Sequence, residues 1–155
     1  MKYFSLLLLT LLITSGTPDD IPPLNAKVVE YVNTVIGKKV GRGECWDLAA
    51  QALDYAKAKW QAPYLFGKPI NHKKERLFPG DIIQITNVVM ESKTETSITR
   101  WKMALHTAVV YKVNSTHEIV IAEQNVDGVR KVMTNTWNLN DIKSGKMDFY
   151  RPVSE

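Results

Sequence analysis

Four side chains in this sequence can be combined into a nucleophilic site: a thiol, an imidazole, a carboxylate and an amide. Cys45 is the single cysteine among 155 residues. A thiol attacks as its thiolate, so it needs a group that takes its proton and later protonates the leaving amine. Histidine serves both roles near neutral pH. Of the three histidines, His72 lies in the polar run Asn71-His72-Lys73-Lys74-Glu75-Arg76 and reads as a surface residue, and His117 falls in a turn. His106 opens the apolar run Thr107-Ala108-Val109-Val110, so a strand would hold its backbone and present its ring at a sheet edge. Glu123 and Asn125 follow the apolar segment Ile119-Val120-Ile121-Ala122. They are two residues apart and share one face of a strand, while Gln124 points to the other. One of the pair can accept a hydrogen bond from the histidine. The other can supply an oxyanion donor or position substrate.

The thiol needs a positioning element of its own. Cys45 follows the loop Val40-Gly41-Arg42-Gly43-Glu44 and opens a run of helix formers from Leu48 to Lys59. A thiol in the first helical turn lies near unpaired N–H groups and the positive end of the helix dipole, and both favour the thiolate. A buried structural cysteine is the competing reading. Metal binding is a poorer one. One cysteine and three histidines lack the close paired spacing of a zinc site, and Asp127-Gly128 lacks the rest of a calcium loop. No cofactor and no metal is expected. Lys38, Lys39 and Arg42 form a basic cluster before the cysteine, which reads as a solvated loop or an anion contact.

Around these residues the chain reads as one domain. Residues 1–16 resemble a secretory signal peptide: Lys2, an apolar run from Leu6 to Ile13, then Ser15 and Gly16. A secreted or periplasmic location is expected from them. Residues 17–25, with three prolines, read as a linker. The domain proper takes residues 26–155. Asn25 is a candidate N-cap for a helix from Ala26 to Ile36, where Val28, Val29, Val32, Val35 and Ile36 recur at helical spacing. A second helix runs from Glu44 or Cys45 to about Lys59, with Leu48, Ala49, Ala52, Leu53 and Ala56 on its apolar face. The aromatic stretch Trp60 to Pro69 reads as a loop anchored by its rings, or as a groove wall. Strands are expected at 82–85, 106–113, 118–125, 129–137 and 147–153. Residues 87–104 read as a long hairpin or a flap. The formal net charge of +4 is modest, and scattered basic residues argue against a nucleic-acid partner.

The order of these pieces resembles the CHAP family of cysteine amidohydrolases and peptidases, within the wider NlpC/P60 and papain-like group. Gly43-Glu44-Cys45-Trp46-Asp47-Leu48-Ala49 is similar to its G-x-C helix start. Pro79-Gly80-Asp81-Ile82-Ile83-Gln84 is similar to its P-G-D strand, and His106-Thr107-Ala108-Val109-Val110 to its G-H-V-A-V strand. Ile121-Ala122-Glu123-Gln124-Asn125 resembles its E-x-N strand end, and Phe149-Tyr150-Arg151-Pro152 its closing strand. Leu105 departs from the pattern, standing where the family has glycine.

The resemblance implies an α+β fold of papain-like topology, with N-terminal helices packed on a small antiparallel sheet. It implies amide hydrolysis by Cys45 and His106 without a cofactor, most often in peptidoglycan peptides. It also implies that Glu123 or Asn125 orients His106; Asn125 is the expected orienter, with Glu123 positioning substrate or supporting the network. The expected partner is peptidoglycan or another peptide, bound by a monomer that has no stable membrane anchor. A non-catalytic secreted binding module on the same fold is the alternative from another class, and an antibacterial amidase toxin shares the chemistry.

Overall fold

The computed structural model describes residues 21–154. The expected signal segment at 1–16 and residues 17–20 of the expected linker lie outside them. Two helices, α1 (Pro23–Val35) and α2 (Cys45–Ala56), precede the main strands. The strands are β1 (Lys68–Ile70), β2 (Ile82–Lys93), β3 (Ile98–Val113), β4 (Glu118–Glu123), β5 (Met133–Asn138) and β6 (Ile142–Arg151). They form one antiparallel sheet in the order β1-β6-β2-β3-β4-β5. This is the α+β arrangement of helices on an antiparallel sheet that the sequence implies.

Helix α1 starts earlier than Ala26. Pro23 occupies its first position, where the missing N–H costs nothing and the fixed φ suits a helix. Asn25 is therefore inside the first turn and is not its cap. Its fully buried side chain donates to the Pro79 carbonyl at 3.0 Å and to Asp81 Oδ1 at 2.8 Å. The amide is drawn away from the helix end by a buried carboxylate. Strand β1 lies within the stretch read as loop, and it pairs with β6 through Ile70 and Phe149.

The sheet is buried on both faces. Val28, Val32, Leu48, Leu53 and Phe66 pack with Ile82, Val109 and Ala122 on the helix side. Ile83, Ile85, Ala108, Val110, Ile119, Ile121 and Phe149 form a second core on the other side. Strands covered on both faces read as unbroken apolar runs, which is why Ile82-Ile83 and Val109-Val110 show no alternation. The aromatic loop is anchored. Phe66 is fully buried, stacks with Trp60 and meets Tyr150 edge-on, and Trp60 meets Trp46 edge-on at 5.4 Å.

Residues 87–104 belong to the long β2–β3 hairpin, whose strands pair from Ile82–Val109 out to Lys93–Ile98. The hairpin changes face part-way along. Strict alternation would set Val88 and Met90 opposite Ile83 and Ile85, yet all four share the second core. Asn87 between them has φ +51°, and the β2–β6 register slips there. Such a bulge re-aims the strand beyond it. Gly145 of β6 is what permits it: a Cβ there would lie 2.2 Å from the Asn87 carbonyl oxygen.

One buried charge ties the first helix to the last strand. Asp81 is fully buried. Arg151 donates to it from Nε at 3.1 Å and Nη2 at 3.0 Å, and the Phe78 N–H donates at 2.9 Å. Removing the guanidinium leaves a buried carboxylate without its counter-charge, which costs about 3–5 kcal/mol. Arg151→Ala should therefore lower Tm by roughly 6–20 °C at about 2–4 °C per kcal/mol. Thermal denaturation checks this, and a shift under 2 °C would show that Asp81 is held without Arg151.

Candidate active site

The thiol is placed by a capped helix start. Cys45 is the first residue of α2, after an extended Glu44. Asp47, nine-tenths buried, turns its carboxylate back onto the preceding loop. Its Oδ2 accepts from the backbone N–H of Arg42 at 2.7 Å and of Glu44 at 3.3 Å, and its Oδ1 from the Arg42 guanidinium at 3.0 Å. Arg42 thus finds its anion inside the chain. Burial pushes the Asp47 carboxyl up, but the hydrogen bonds from Arg42 and Glu44 outweigh it and hold the group below its ordinary value. Gly41 is required by this wrap. It has φ +54°, and a Cβ would lie 2.9 Å from Asp47 Oδ2.

The base comes from the middle of β3. His106 is buried, and its Nε2 meets Glu123 Oε2 at 2.7 Å. That leaves Nδ1 as the nitrogen open to Cys45, which lies close enough for thiol and ring to shift each other's titration. Glu123, at the end of β4, is itself buried and also accepts from Asn135 Nδ2 at 2.6 Å. The carboxylate is therefore fixed from β5 while it fixes the imidazole.

The electrostatics follow from this geometry. Burial pushes the Cys45 thiol up, while the His106 hydrogen bond, the Thr107 backbone, the His106 charge and the Trp46 backbone bring it below its ordinary value. Burial pushes His106 down. The hydrogen bonds and charges of Cys45 and Glu123 outweigh that and raise it to about 9. Both shifts favour a thiolate beside an imidazolium, and the two groups titrate as a pair.

Asn125 does not occupy the expected place. It lies beyond the end of β4 with φ +62°, so the alternation that would align it with Glu123 no longer applies. Its Nδ2 donates to Glu44 Oε2 at 2.8 Å, and the place beside His106 is taken by Glu123. Glu44 also pairs with Arg130 at 2.9 Å.

Gln124 is the residue that sequence reasoning passed over. It is fully buried. Its Oε1 accepts from the Val40 N–H at 3.2 Å, and its Nε2 donates to the carbonyls of Val40 at 3.0 Å and Glu44 at 2.7 Å. The one available signal was its position: the middle of a polar triplet at a strand end, facing the helices. The other histidines stand apart. His117 is exposed. His72 is half-buried against the Phe149 ring at 4.8 Å, not a surface residue, and burial holds it below its ordinary value. Among the described residues no group of three or more His, Cys, Asp or Glu comes together to hold a metal ion.

The His106 edge opens into a groove of about 840 Å³. Met90, Trp101, Met103 and Leu105 line one side, and Met133, Asn135, Trp137 and Asp141 the other. His106, Glu123 and Asn125 stand at one end.

A family model described as the AIM3/BBC1 cysteine proteinase-fold domain matches residues 24–155. The chain is also 30% identical over 159 residues to Altered inheritance of mitochondria protein 3 of Debaryomyces hansenii. That alignment takes in 88% of this chain and 17% of the relative's length. Two crystal structures of Ly7917, one of them with the hydrolyzing product of MDP, superpose with a TM-score of 0.51. They are 16% identical, covering 83% of this chain and 62% of theirs, and the likeness concerns the fold alone. These matches correct two expectations. The secreted or periplasmic location is overturned, because the curated relative is a yeast protein named for mitochondrial inheritance. The family resemblance holds at the level of the papain-like cysteine proteinase fold, not of CHAP in particular. The match runs from the first turn of α1 through both helices and the whole sheet, and the chain belongs to the AIM3/BBC1 cysteine proteinase-fold domain family.

Proposed function

We propose that this domain is a thiol hydrolase of peptide amide bonds. The observation that carries the reading is the buried His106 ring, held on Nε2 by Glu123 at 2.7 Å and facing the Cys45 thiol with its other nitrogen. A histidine kept for packing needs one satisfied nitrogen. This one is gripped on both, by a carboxylate that stabilises its charged form and by a thiol that loses a proton to it.

Each residue has one role in the proposed reaction. The Cys45 thiolate attacks the amide carbon. The backbone N–H of Cys45, unpaired at the first helical position, faces the developing oxyanion. The His106 imidazolium gives its proton to the departing amine as the C–N bond breaks, which leaves a thioester. His106, now neutral, takes a proton from water, and the resulting hydroxide equivalent attacks the thioester carbonyl. The C–S bond breaks, the acid departs, and the thiolate is left beside the imidazolium that took the water's proton. Glu123 keeps the ring oriented and stabilises its cation, as the carboxylate does in a Ser-His-Asp site. Peptidoglycan loses its premise as substrate, since it rested on the CHAP resemblance, which holds only at the level of the cysteine proteinase fold. A peptide amide keeps its support in the chemistry.

Two outcomes test the reading with a peptide thioester or amide library. Cys45→Ala and His106→Ala should lose nearly all turnover. For wild type, kcat/KM should fall on the alkaline side near pH 9, where His106 gives up the proton the leaving amine needs. Glu123→Gln removes the charge that favours imidazolium, so this limb should move to lower pH and kcat should drop roughly 10- to 1000-fold. An alkaline limb that stays in place in Glu123→Gln would remove Glu123 from its role.

Gln124 and Asn125 act through the loop, not on substrate. Gln124→Ala strands three backbone groups and should cost about 1–3 kcal/mol of stability. It should also raise the pH midpoint of Cys45 alkylation by iodoacetamide, because the thiol slackens from His106. Asn125→Ala should leave that midpoint closer to wild type, Arg130 still holding Glu44. Equal midpoints for Gln124→Ala and wild type would show that the clamp does not set the thiol.

A further inference from the structure

The groove beside His106 gathers exposed apolar side chains next to the reacting ring. Trp101, Leu105 and Val129 are large apolar residues left 45–54% exposed, and all three line it. Met103 and Met133 add flexible apolar surface between them. The charged lining is lopsided. Glu118, Glu123, Asp127 and Asp141 line it against Lys102 and the His106 ring, in a chain whose formal net charge is +4. Glu123 is spoken for by His106 and Asn135. Asp127 stands near the catalytic end, in the loop with Val126 and Val129 that follows β4. Glu118 leaves β4 on the face opposite Glu123 and accepts from Asn114 Nδ2 at 2.8 Å, so Asp127 is the acidic residue the groove offers beside its catalytic end. The groove thus combines apolar walls with an acidic residue close to the reacting histidine.

Its position assigns the part of the substrate it takes. Cys45 is not one of its lining residues, whereas His106 is. In amide cleavage the acyl carbon goes to sulfur, and the departing amine lies where it can receive the imidazolium proton. The fragment carried on that amine must therefore extend on the histidine side. Resting on the thiol-hydrolase reading above, we propose that the groove binds the leaving-group segment of the substrate and selects a bulky apolar residue at the departing amine followed by a cationic one. Leu105, next to His106 in sequence and 54% exposed, is the specificity-determining residue nearest the scissile bond.

The product amine alone tests this without turnover. Full-length protein carrying Cys45→Ala is titrated with phenylalanyl-lysinamide and with glycyl-aspartamide, reading the fluorescence of Trp101 and Trp137. The first should bind at least about tenfold tighter, the scale on which an apolar pocket discriminates. Leu105→Ser in the same background should remove most of that preference. Its side chain is exposed, so its melting curve should stay cooperative and serves as the folding control. Equal binding of the two amides, or a preference untouched by Leu105→Ser, would overturn the proposal. The same phenylalanyl-lysinamide is then offered, acylated on its amine, to the protein with Cys45 intact. Tight binding of the free amine with no cleavage of the acylated peptide would overturn the hydrolase reading and leave the groove's ligand class standing.

Discussion

Three consecutive residues at the end of β4 hold both halves of the site to one piece of backbone. Glu123 takes the His106 ring, Gln124 takes the backbone of Val40 and Glu44, and Asn125 takes the Glu44 carboxylate. Strand geometry makes this possible, because neighbouring side chains leave a strand on opposite faces. Glu123 faces the groove and Gln124 the helices. The loop before the nucleophile and the base are thus referenced to the same two peptide units. A shift of β4 would move them together, which preserves the thiol–imidazole contact better than two independent supports.

The buried carboxylates of Asp81 and Glu123 differ in what neutralises them, and the difference separates structure from chemistry. Asp81 is met by Arg151, whose guanidinium stays protonated at every working pH. That pair can only hold. Glu123 is met by His106, which loses and regains a proton within the working range. When the ring gives up its other proton, the buried carboxylate loses its counter-charge and keeps the Nε2–H and the Asn135 amide as hydrogen-bond donors. Burial pushes His106 down, and the Cys45 thiol and the Glu123 carboxylate, which both favour the protonated ring, together raise it to about 9.

Much of the fold was legible because it rests on local signals. The cysteine at a helix start, the apolar stripe of α2 and the paired apolar runs of β3 and β4 each follow from periodicity or capping chemistry. What was not legible depends on contacts far apart in sequence. Asn25 has the right type and position for an N-cap, and only the buried Asp81, 56 residues later, explains why it serves elsewhere. The choice between Glu123 and Asn125 turned on where β4 ends. Period-two reasoning assumes the strand continues, and the left-handed Asn125 shows that it does not. Gln124 looked inert because its three partners are backbone groups, and a backbone group has no residue type to read.

Leu105 joins the two lines of argument. In the resembled pattern a glycine precedes the histidine, and simple alternation would turn a side chain there to the face away from His106. Here both residues border the same groove. The reconciliation lies one step across the sheet, where Leu105 pairs with Thr86, next to the left-handed Asn87. The hairpin rotates at that point, so the residues beyond it, Met103, Trp101 and Met90, also turn toward the groove. A glycine at this position would add no wall. A leucine adds one directly beside the reacting ring, and the Asn87 bulge gives it neighbours to pack with. The close approach of Gly145 to Asn87 thus reaches the site indirectly, since without it the hairpin would lie flat and the groove would lose one side.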